Sequence, residues 1–272
     1  MKAISTLPAR GLVLAFFHAA SDRALDVGTL VAATRALGLT GNSTRVTLSR
    51  LLSEGWLLRD ERGRYRLKSE RAAAAAGLVP FKELNHSVRA WKGGWLGCLF
   101  EVQGRGADVP DGLRRLGFRE VSPGFAIRPD NLRGGTSLLN SRVGSARLLS
   151  VDATGEGDAT AHWPTLWAPS ALTKDYLRMR QLIQTSRVKL SKLGPEAQLA
   201  ETFDVARACI ARLEQDPLLP DQWVGGRMRE TLVDELVSYD RDARELWMQV
   251  IPGLELEGSL RAGAGWSPGA KR

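Results

Sequence analysis

The chain has 272 residues, 43% of them hydrophobic and 25% charged, and its formal net charge is +8. This composition is ordinary for a globular protein and excludes a chain that is disordered throughout. The length allows two or three domains of about 100–150 residues each, and no apolar run approaches the ~20 residues of a membrane span.

The positive charge is concentrated near the N-terminus. Residues 1–75 carry twelve Lys or Arg and six Asp or Glu, which is a net charge of +6. Residues 76–169 have a net charge of +2, and residues 170–272 have a net charge of zero. A basic segment joined to a neutral body is typical of a protein that binds a polyanion through one part of its surface.

The N-terminal part of the chain predicts three helices followed by a two-stranded hairpin. Asp26 and Thr40 are suitable N-caps for the second and third helices, and Gly38 is placed to end the second. Gly63 suits the hairpin turn. The predicted helices cover residues 8–20, 27–37 and 41–54, and the predicted strands cover residues 56–58 and 65–67. This order is typical of a winged helix-turn-helix, whose third helix enters the DNA major groove.

The third helix predicts which side chains would contact DNA. Asn42, Arg45 and Ser49 lie at i, i+3 and i+7, on a different face from the apolar positions. Arg45 would bond a guanine edge and Asn42 an adenine edge, whereas Arg50 and the hairpin arginines would pair with phosphates. The predicted DNA-binding residues are Asn42, Ser43, Arg45, Val46, Ser49, Arg50, Arg62 and Arg64. The alternative is a protein-interaction module that never binds DNA, and the basic face favours DNA.

The middle of the chain predicts the order βαββαβ, which is that of a ferredoxin-like unit. A helical connector at residues 72–76 precedes this unit, and a Gly-rich loop at residues 152–161 follows it. The predicted strands are residues 95–102, 118–121, 125–128 and 146–151, and the predicted helices are residues 109–116 and 132–142.

Beyond residue 170 the apolar spacing follows the helical period. It predicts helices over residues 171–189, 195–213 and 227–250, and the Gly- and Ser-rich residues 253–272 predict a flexible tail. The predicted fold class is therefore α+β with several domains. These are a winged helix-turn-helix over residues 1–75, a ferredoxin-like middle domain over residues 85–160, and a helical C-terminal domain over residues 165–252.

No motif argues for an enzyme, a bound metal or a cofactor. The chain has no P-loop, no zinc-protease helix and no nucleophile elbow. His18, His86 and His162 stand apart in sequence, and Cys98 and Cys209 match no metal-ligand spacing. We therefore predict that the protein is not an enzyme.

Two alternatives stay open. A metal-dependent nuclease would need clustered carboxylates on the ferredoxin-like unit, for which Asp108, Asp111 and Asp130 are available. A nonspecific architectural DNA-binding protein would share the basic segment without discriminating between sequences.

Eight tryptophans are the second unusual feature of the chain. We interpret them as anchors of the core, and the alternative is that some line an apolar pocket for an aromatic ligand. Those in the middle and C-terminal parts include Trp91, Trp95, Trp163, Trp167, Trp223 and Trp247.

A short apolar run at residues 11–17 follows Lys2 and Arg10. The run is short for the apolar part of a secretory signal, and no A-x-A cleavage site follows it. We therefore expect it to belong to the first helix of a cytoplasmic protein.

Several motifs, in a shared order, resemble those of the phenylacetate-degradation repressors, the PaaX family. They are Glu54-Gly55-Trp56-Leu57, Gly63-Arg64-Tyr65-Arg66-Leu67, Gly93-Gly94-Trp95-Leu96, Leu116-Gly117-Phe118, Ser122-Pro123-Gly124-Phe125, Leu166-Trp167 and Asp216-Pro217-Leu218-Leu219-Pro220. The resemblance spans most of the chain. It implies a homodimeric repressor of aromatic-acid catabolism genes that an aryl-acetyl-CoA thioester, phenylacetyl-CoA or a related acyl-CoA, releases from double-stranded operator DNA. It assigns no effector-binding residue.

Overall fold

The protein is described by a computed structural model over residues 7–21, 23–68, 80–102, 109–140, 142–151 and 160–260. These residues form a mixed α+β structure with two small antiparallel sheets. They divide into two compact units. The first draws on Met1–Ala76, Gln181–Ala211 and Glu235–Arg272, and the second on Gly77–Arg180 and Arg212–Asp234.

The predicted helices and strands occur in the predicted order, and one additional short helix, over Leu84–Ser87, was not predicted. The helices are α1 (Ala9–Ala20), α2 (Val27–Ala36), α3 (Gly41–Ser53), α4 (Leu84–Ser87), α5 (Asp111–Arg115), α6 (Gly135–Asn140), α7 (Pro169–Leu190), α8 (Pro195–Leu213) and α9 (Met228–Val250). The strands are β1 (Leu57–Arg59), β2 (Tyr65–Leu67), β3 (Trp95–Leu99), β4 (Arg119–Ser122), β5 (Phe125–Pro129) and β6 (Arg147–Val151). Short 3-10 turns occupy Phe81–Glu83, Trp163–Trp167 and Asp221–Trp223. The predicted connector at residues 72–76 lies outside the described residues, as does the predicted loop up to residue 159.

Helix α1 lies at the centre of the first unit. Phe16 is fully buried, and its ring lies 5.2 Å from Trp247 and 6.5 Å from Phe203, measured between centroids. Since these partners belong to α9 and α8, the long C-terminal helices and the N-terminal helices bury their apolar faces in one core. The unit is therefore built from residues far apart in sequence.

Residues 253–260 correct the prediction of a flexible tail. Leu254, Leu256 and Leu260 are 3–5% exposed and belong to the core of the first unit. The backbone N–H groups of residues 257 and 258 donate to the carbonyl of Ala19 at 2.9 and 2.7 Å. Burial of three leucines outweighs the Gly- and Ser-rich composition that predicted a tail. Residues 261–272 lie outside the described part of the chain.

The second unit contains a four-stranded antiparallel sheet in the order β4-β5-β3-β6. The central strand β3 pairs with β5 in the register Trp95↔Pro129 to Leu99↔Phe125, and with β6 on its other side. Strands β4 and β5 form a hairpin whose register shifts between Glu120 and Ser122. The segments that connect β3 to β4 and β5 to β6 carry α5 and α6.

Five tryptophans gather beside this sheet. Trp95, Trp163 and Trp167 are each less than 9% exposed, whereas Trp91 and Trp223 are half-buried. The ring centroid of Trp95 lies between 5.1 and 6.0 Å from the other four. Offset and edge-on ring contacts at such separations stabilise a core beyond the area that they bury, which agrees with the interpretation of these residues as core anchors.

Buried polar side chains hold the loop at residues 216–221 in the same unit. The hydroxyl of Tyr176 donates to the carboxylate of Asp216 at 2.5 Å, and Nδ2 of Asn131 donates to the carbonyl of Leu218 at 2.8 Å. Because buried polar groups are costly when unpaired, these bonds fix the path of the loop.

Candidate nucleic-acid interface

Helix α3 begins at a side-chain cap and is anchored by a buried hydroxyl pair. The backbone N–H of Ser43 donates to Oγ1 of Thr40 at 3.1 Å, which confirms the predicted N-cap. The hydroxyl oxygens of Thr34 on α2 and Thr44 on α3 lie 2.7 Å apart, and both residues are fully buried. This contact, with Leu48 buried below it, fixes the rotation of α3 about its own axis.

That rotation decides which side chains of α3 reach solvent. Its inward face consists of Thr44, Thr47, Leu48 and Leu51, which are all buried. The outward face presents the predicted readers Asn42, Arg45, Val46, Ser49 and Arg50, which are all exposed. Ser43 differs from the other predicted contacts because it is half-buried. The structure therefore brings five predicted DNA-binding residues together on one helix surface.

Arg45 and Arg50 supply the positive charge on the exposed face of α3. Among the described residues, none places a carboxylate within ion-pairing distance of Arg45 or Arg50. A Cβ atom at Gly41 would lie 3.3 Å from Nη1 of Arg45, so the Arg45 side chain lies back along the first turn of α3. Both guanidinium groups are free to pair with an anionic ligand.

The hairpin that follows α3 is shaped by Asp60. Its Oδ1 accepts the backbone N–H groups of Arg62 and Arg64 at 3.0 and 2.8 Å, and its Oδ2 accepts Nε of Arg64 at 3.0 Å. The hydrogen bond from the Arg64 backbone N–H is the main cause that lowers the pKa of Asp60. Arg62 and Arg64 are both exposed, as predicted, but Arg64 has a carboxylate partner within the hairpin.

A third extended segment joins the hairpin, and the sequence did not predict it. Leu25 and Tyr65 exchange both backbone hydrogen bonds at 2.8 Å, in an antiparallel bridge. Leu25 is a single buried residue between α1 and α2. An extended segment of one residue is too short to show the alternating pattern of a strand.

Two further exposed arginines of the hairpin were not among the DNA-contacting residues that the sequence predicted. Arg59 ends β1, and Arg66 lies in the middle of β2. The alternation of Tyr65, Arg66 and Leu67 is a pattern that could have found the second, since a strand with buried neighbours on both sides points its central residue outward.

Among the residues weighed for catalysis, those that the structure describes do not gather into a metal centre. Within the described residues, no group of three His, Cys, Asp or Glu side chains could hold a metal ion. Asp130 accepts a hydrogen bond from Nη2 of Arg89 at 2.8 Å, Asp111 begins α5, and Asp108 lies outside the described residues. His18, His86 and His162 lie in α1, in α4 and before the turn Trp163–Trp167.

Over the part of the chain that the structure describes, no helix combines the length and the apolar character needed to cross a membrane.

Comparison with known proteins shows a similarity of fold to a solved structure. No protein-family model and no curated protein matches this chain. Among solved structures, the uncharacterized protein Rv0674 from Mycobacterium tuberculosis is similar to it, with 24% sequence identity and a TM-score of 0.58. The similarity covers 89% of this chain and 100% of that chain. At this level of identity the two proteins share a mixed α+β architecture, and the likeness extends to the fold alone.

Proposed function

We propose that the protein is a sequence-specific DNA-binding transcriptional repressor that reads base edges with α3. The observation that carries the proposal is the polar stripe of Asn42, Arg45 and Ser49, exposed on the face opposite the buried Leu48 and Leu51. Amide and guanidinium groups are the side chains that pair bidentately with adenine and guanine in the major groove.

The elements around α3 support a winged helix-turn-helix. The first unit has the order α1, extended residue Leu25, α2, α3, β1 and β2, with Leu25 pairing to β2. A winged helix-turn-helix domain has a recognition helix followed by a hairpin that lies along the DNA backbone. Exposed arginines on the hairpin suit that position. The net charge of +6 over residues 1–75 supports the same function.

The strand order supports a ferredoxin-like middle domain. In a βαββαβ unit the first strand lies between the third and fourth, and the observed order β4-β5-β3-β6 has this arrangement. Together with the sequence motifs, it supports the resemblance to phenylacetate-degradation repressors. On that resemblance we propose a homodimer whose two α3 helices contact half-sites about 34 Å apart, and release by phenylacetyl-CoA or a related acyl-CoA.

Selection from a random DNA library, followed by fluorescence anisotropy, tests the proposal. We expect the full chain to enrich a near-palindromic sequence and to bind it about 10³-fold or more tightly than a scrambled duplex at the same salt concentration. Equal binding to both duplexes would indicate a nonspecific DNA-binding protein. Absence of binding to either duplex would contradict the proposal and favour a protein-interaction module.

The effector is tested in the same assay. Phenylacetyl-CoA should raise the dissociation constant for the selected duplex, because a ligand shifts an equilibrium only when it binds the two states with different affinity. Free CoA at equal concentration is the control, because it carries the same phosphate charges without the phenylacetyl group. If phenylacetyl-CoA and free CoA act alike, the acyl-CoA part of the proposal is wrong.

A further inference from the structure

Residues 252–260, which we call the C-terminal strap, join α9 to the N-terminal helices of the first unit. Leu254, Leu256 and Leu260 are 3–5% exposed and hold the strap in the core. Its polar groups contact α1, the start of α2 and α9. The sequence predicted a flexible tail over most of this segment, so these contacts were not expected.

The strap completes the C-terminal end of α1. The last four carbonyl groups of a helix have no partner within the helix. In α1 the carbonyl of Ala19 accepts the backbone N–H groups of Glu257 and Gly258, at 2.9 and 2.7 Å. A Cβ atom at Gly258 would lie 3.1 Å from the carbonyl oxygen of His18. The two backbones are therefore so close that a side chain larger than that of glycine would push them apart.

Buried groups bond the strap to α9. Oγ of Ser259 donates to Oδ2 of Asp240 at 2.8 Å, and both residues are less than 9% exposed. The same carboxylate oxygen lies 3.3 Å from Nε of Arg244, whose Nη1 donates to the carbonyl of Glu257 at 2.9 Å. Because buried polar groups are costly when unpaired, this network fixes the path of the strap along α9.

Exposed contacts join the strap to the connection between α1 and α2. Nε of Arg23 donates to Oε1 of Glu257 at 2.6 Å, and its Nη1 is paired with the carboxylate of Glu255. Thr29, in the first turn of α2, has its hydroxyl oxygen 3.4 Å from the carbonyl oxygen of Pro252. Exposed ion pairs contribute little to stability, so these contacts can open at a smaller cost in free energy than the core.

The contacts continue from α2 to α3. Thr34 on α2 and Thr44 on α3 have buried hydroxyl oxygens 2.7 Å apart, and this contact fixes the rotation of α3. Side chains of α1, α2 and α3 also share one core. Since a packed core transmits displacements, a shift of α1 and α2 would move the outward face of α3, which carries Arg45.

We propose that the C-terminal strap is a latch for DNA binding. When it is seated, α1 and α2 hold α3 in the arrangement that binds DNA, and when it opens, DNA binding weakens. This role rests on the proposed DNA-binding function and adds a regulatory segment to it. Such coupling is reciprocal: if opening weakens DNA binding by a given factor, bound DNA lowers the open population by the same factor.

Amide hydrogen exchange in the wild type measures the opening of the strap. The N–H groups of Glu257 and Gly258 should exchange faster than that of Phe16 in the middle of α1, because the strap opens while the unit stays folded. Saturating selected duplex should slow the two strap amides by the coupling factor, about 5–150-fold. Strap amides that exchange as slowly as Phe16 would show opening only on unfolding, and would overturn the latch.

Gly258→Val measures the same factor from the DNA side. Gly258 has no positive φ, so the valine acts through its contact with the carbonyl of His18 and unseats the strap. Its affinity for the selected duplex should fall by about the factor by which DNA slows strap exchange in the wild type. Gly194→Val is the matched control, because a Cβ atom there meets nothing within 4 Å, and it should bind as the wild type does.

A milder variant covers the case in which Gly258→Val does not fold. Gly258→Ala should speed strap exchange in free protein and should weaken DNA binding by less than the coupling factor, with Gly194→Ala as its control. Slow exchange of the Phe16 amide shows in each variant that the core is intact. Faster strap exchange with an intact core and unchanged DNA affinity in every folded variant would overturn the latch.

The outcomes separate the latch from the proposed function. Sequence preference in the wild type, with strap exchange that DNA does not slow, overturns the latch and leaves the proposed function. Equal coupling on selected and scrambled duplexes, without a preference between them, supports the latch and contradicts sequence-specific reading by α3. Slower strap exchange without a matching loss of affinity in Gly258→Val would mean that DNA covers the strap directly, and the latch would be wrong. Absence of DNA binding overturns both.

Discussion

At the scale of single residues, Val46 differs from its neighbours on the exposed face of α3. It is 42% exposed, and among the described residues up to residue 68 the other large hydrophobic side chain with comparable exposure is Leu58 on β1. Val46 lies on the surface of α3 for which we propose DNA contact. An apolar side chain on a recognition helix suits the C5-methyl group of thymine.

This contact predicts a thymine that is read by its methyl group. Replacing that thymine by deoxyuridine in the selected duplex should weaken wild-type binding by about 0.8 kcal/mol, the value of one buried methyl or methylene group. Val46→Ala should bind the thymine and deoxyuridine duplexes with nearly equal affinity, as anisotropy titrations at fixed salt can measure. A thymine preference that Val46→Ala retains at every position would assign the methyl contact to another residue.

Asp26 predicts a pH dependence of stability. It caps α2 by accepting the backbone N–H of Thr29 at 2.9 Å and its hydroxyl at 2.6 Å. The hydroxyl bond is the main cause that lowers the pKa of Asp26. A lowered folded-state pKa means that the carboxylate stabilises the fold above the unfolded pKa of ~3.9, and that this stabilisation is lost as pH falls through the folded value.

Asp26→Ala should lower the free energy of unfolding by about 0.5–2 kcal/mol at pH 7, the usual value of an N-cap. The difference from the wild type should shrink as the pH is lowered through ~4. Asp26→Asn is the matched control, because it keeps a capping side chain without a titrating group. Urea titrations measure all three proteins. A wild-type difference that stays constant between neutral and acidic pH would show that the charge of the cap does not matter.

At the scale of elements, local chemistry accounts for what the sequence predicted. The ends of α2 and α3 follow from Asp26, Gly38 and Thr40, whose side chains or backbone freedom act within a few residues. The exposure of the proposed DNA-contacting side chains on α3 follows from the helical period alone. These features need no knowledge of the rest of the chain.

Features that depend on distant residues were not predictable in the same way. Leu254 and Leu256 belong to a core that includes residues between Leu7 and Leu67, far earlier in the chain, so the composition of their own segment indicated a tail. The Leu25 bridge depends on Tyr65 in the hairpin, and a one-residue strand has no period. The outward-facing pair of Leu58 and Arg66 depends on which strand residues lie opposite each other, and a sequence shows this only once the register is known.

The C-terminal segment predicts a stability effect far from the N-terminal helices in sequence. Leu256 is 5% exposed in the core of the first unit, so Leu256→Ala should lower the free energy of unfolding by about 2–5 kcal/mol in the full chain. Glu255→Gln is the neighbouring control. It removes an exposed ion pair with Arg23 and should cost at most about 1 kcal/mol. Similar small losses for both variants would mean that residues 253–260 do not contribute to this core.

At the scale of the whole molecule, each compact unit contains one of the two cysteines. Cys209 lies in the first unit and Cys98 in the second, and both are fully buried. Burial raises the pKa of Cys98 to about 11 and that of Cys209 to about 12. Since the thiolate is the reactive form, both side chains should be unreactive while their units stay folded.

Thiol labelling therefore reports the opening of each unit separately. With Ellman's reagent at pH 8, each native thiol should react about 10³-fold or more slowly than in urea-unfolded protein. Cys98→Ser follows the first unit through Cys209, and Cys209→Ser follows the second through Cys98. Rapid labelling of either variant in the absence of urea would contradict the burial of its remaining thiol.

Separation of charge across the chain is the other property of the whole molecule that bears on function. Residues 1–75 carry a net charge of +6, and residues 170–272 carry none. The basic segment contains both α3 and the hairpin, so a general attraction to DNA and the base contacts, both of which we propose, would come from the same part of the protein. Specificity must then be measured against nonspecific affinity.

The measurement that tests sequence-specific reading by α3 most directly compares wild type and Arg45→Ala on the selected duplex and on its scrambled counterpart, at one salt concentration. Reading of a guanine by Arg45 predicts that the variant loses about 1–3 kcal/mol on the selected duplex and much less on the scrambled one, so that the ratio of the two affinities falls. An equal loss on both duplexes would contradict the account, because Arg45 would then contribute only its charge.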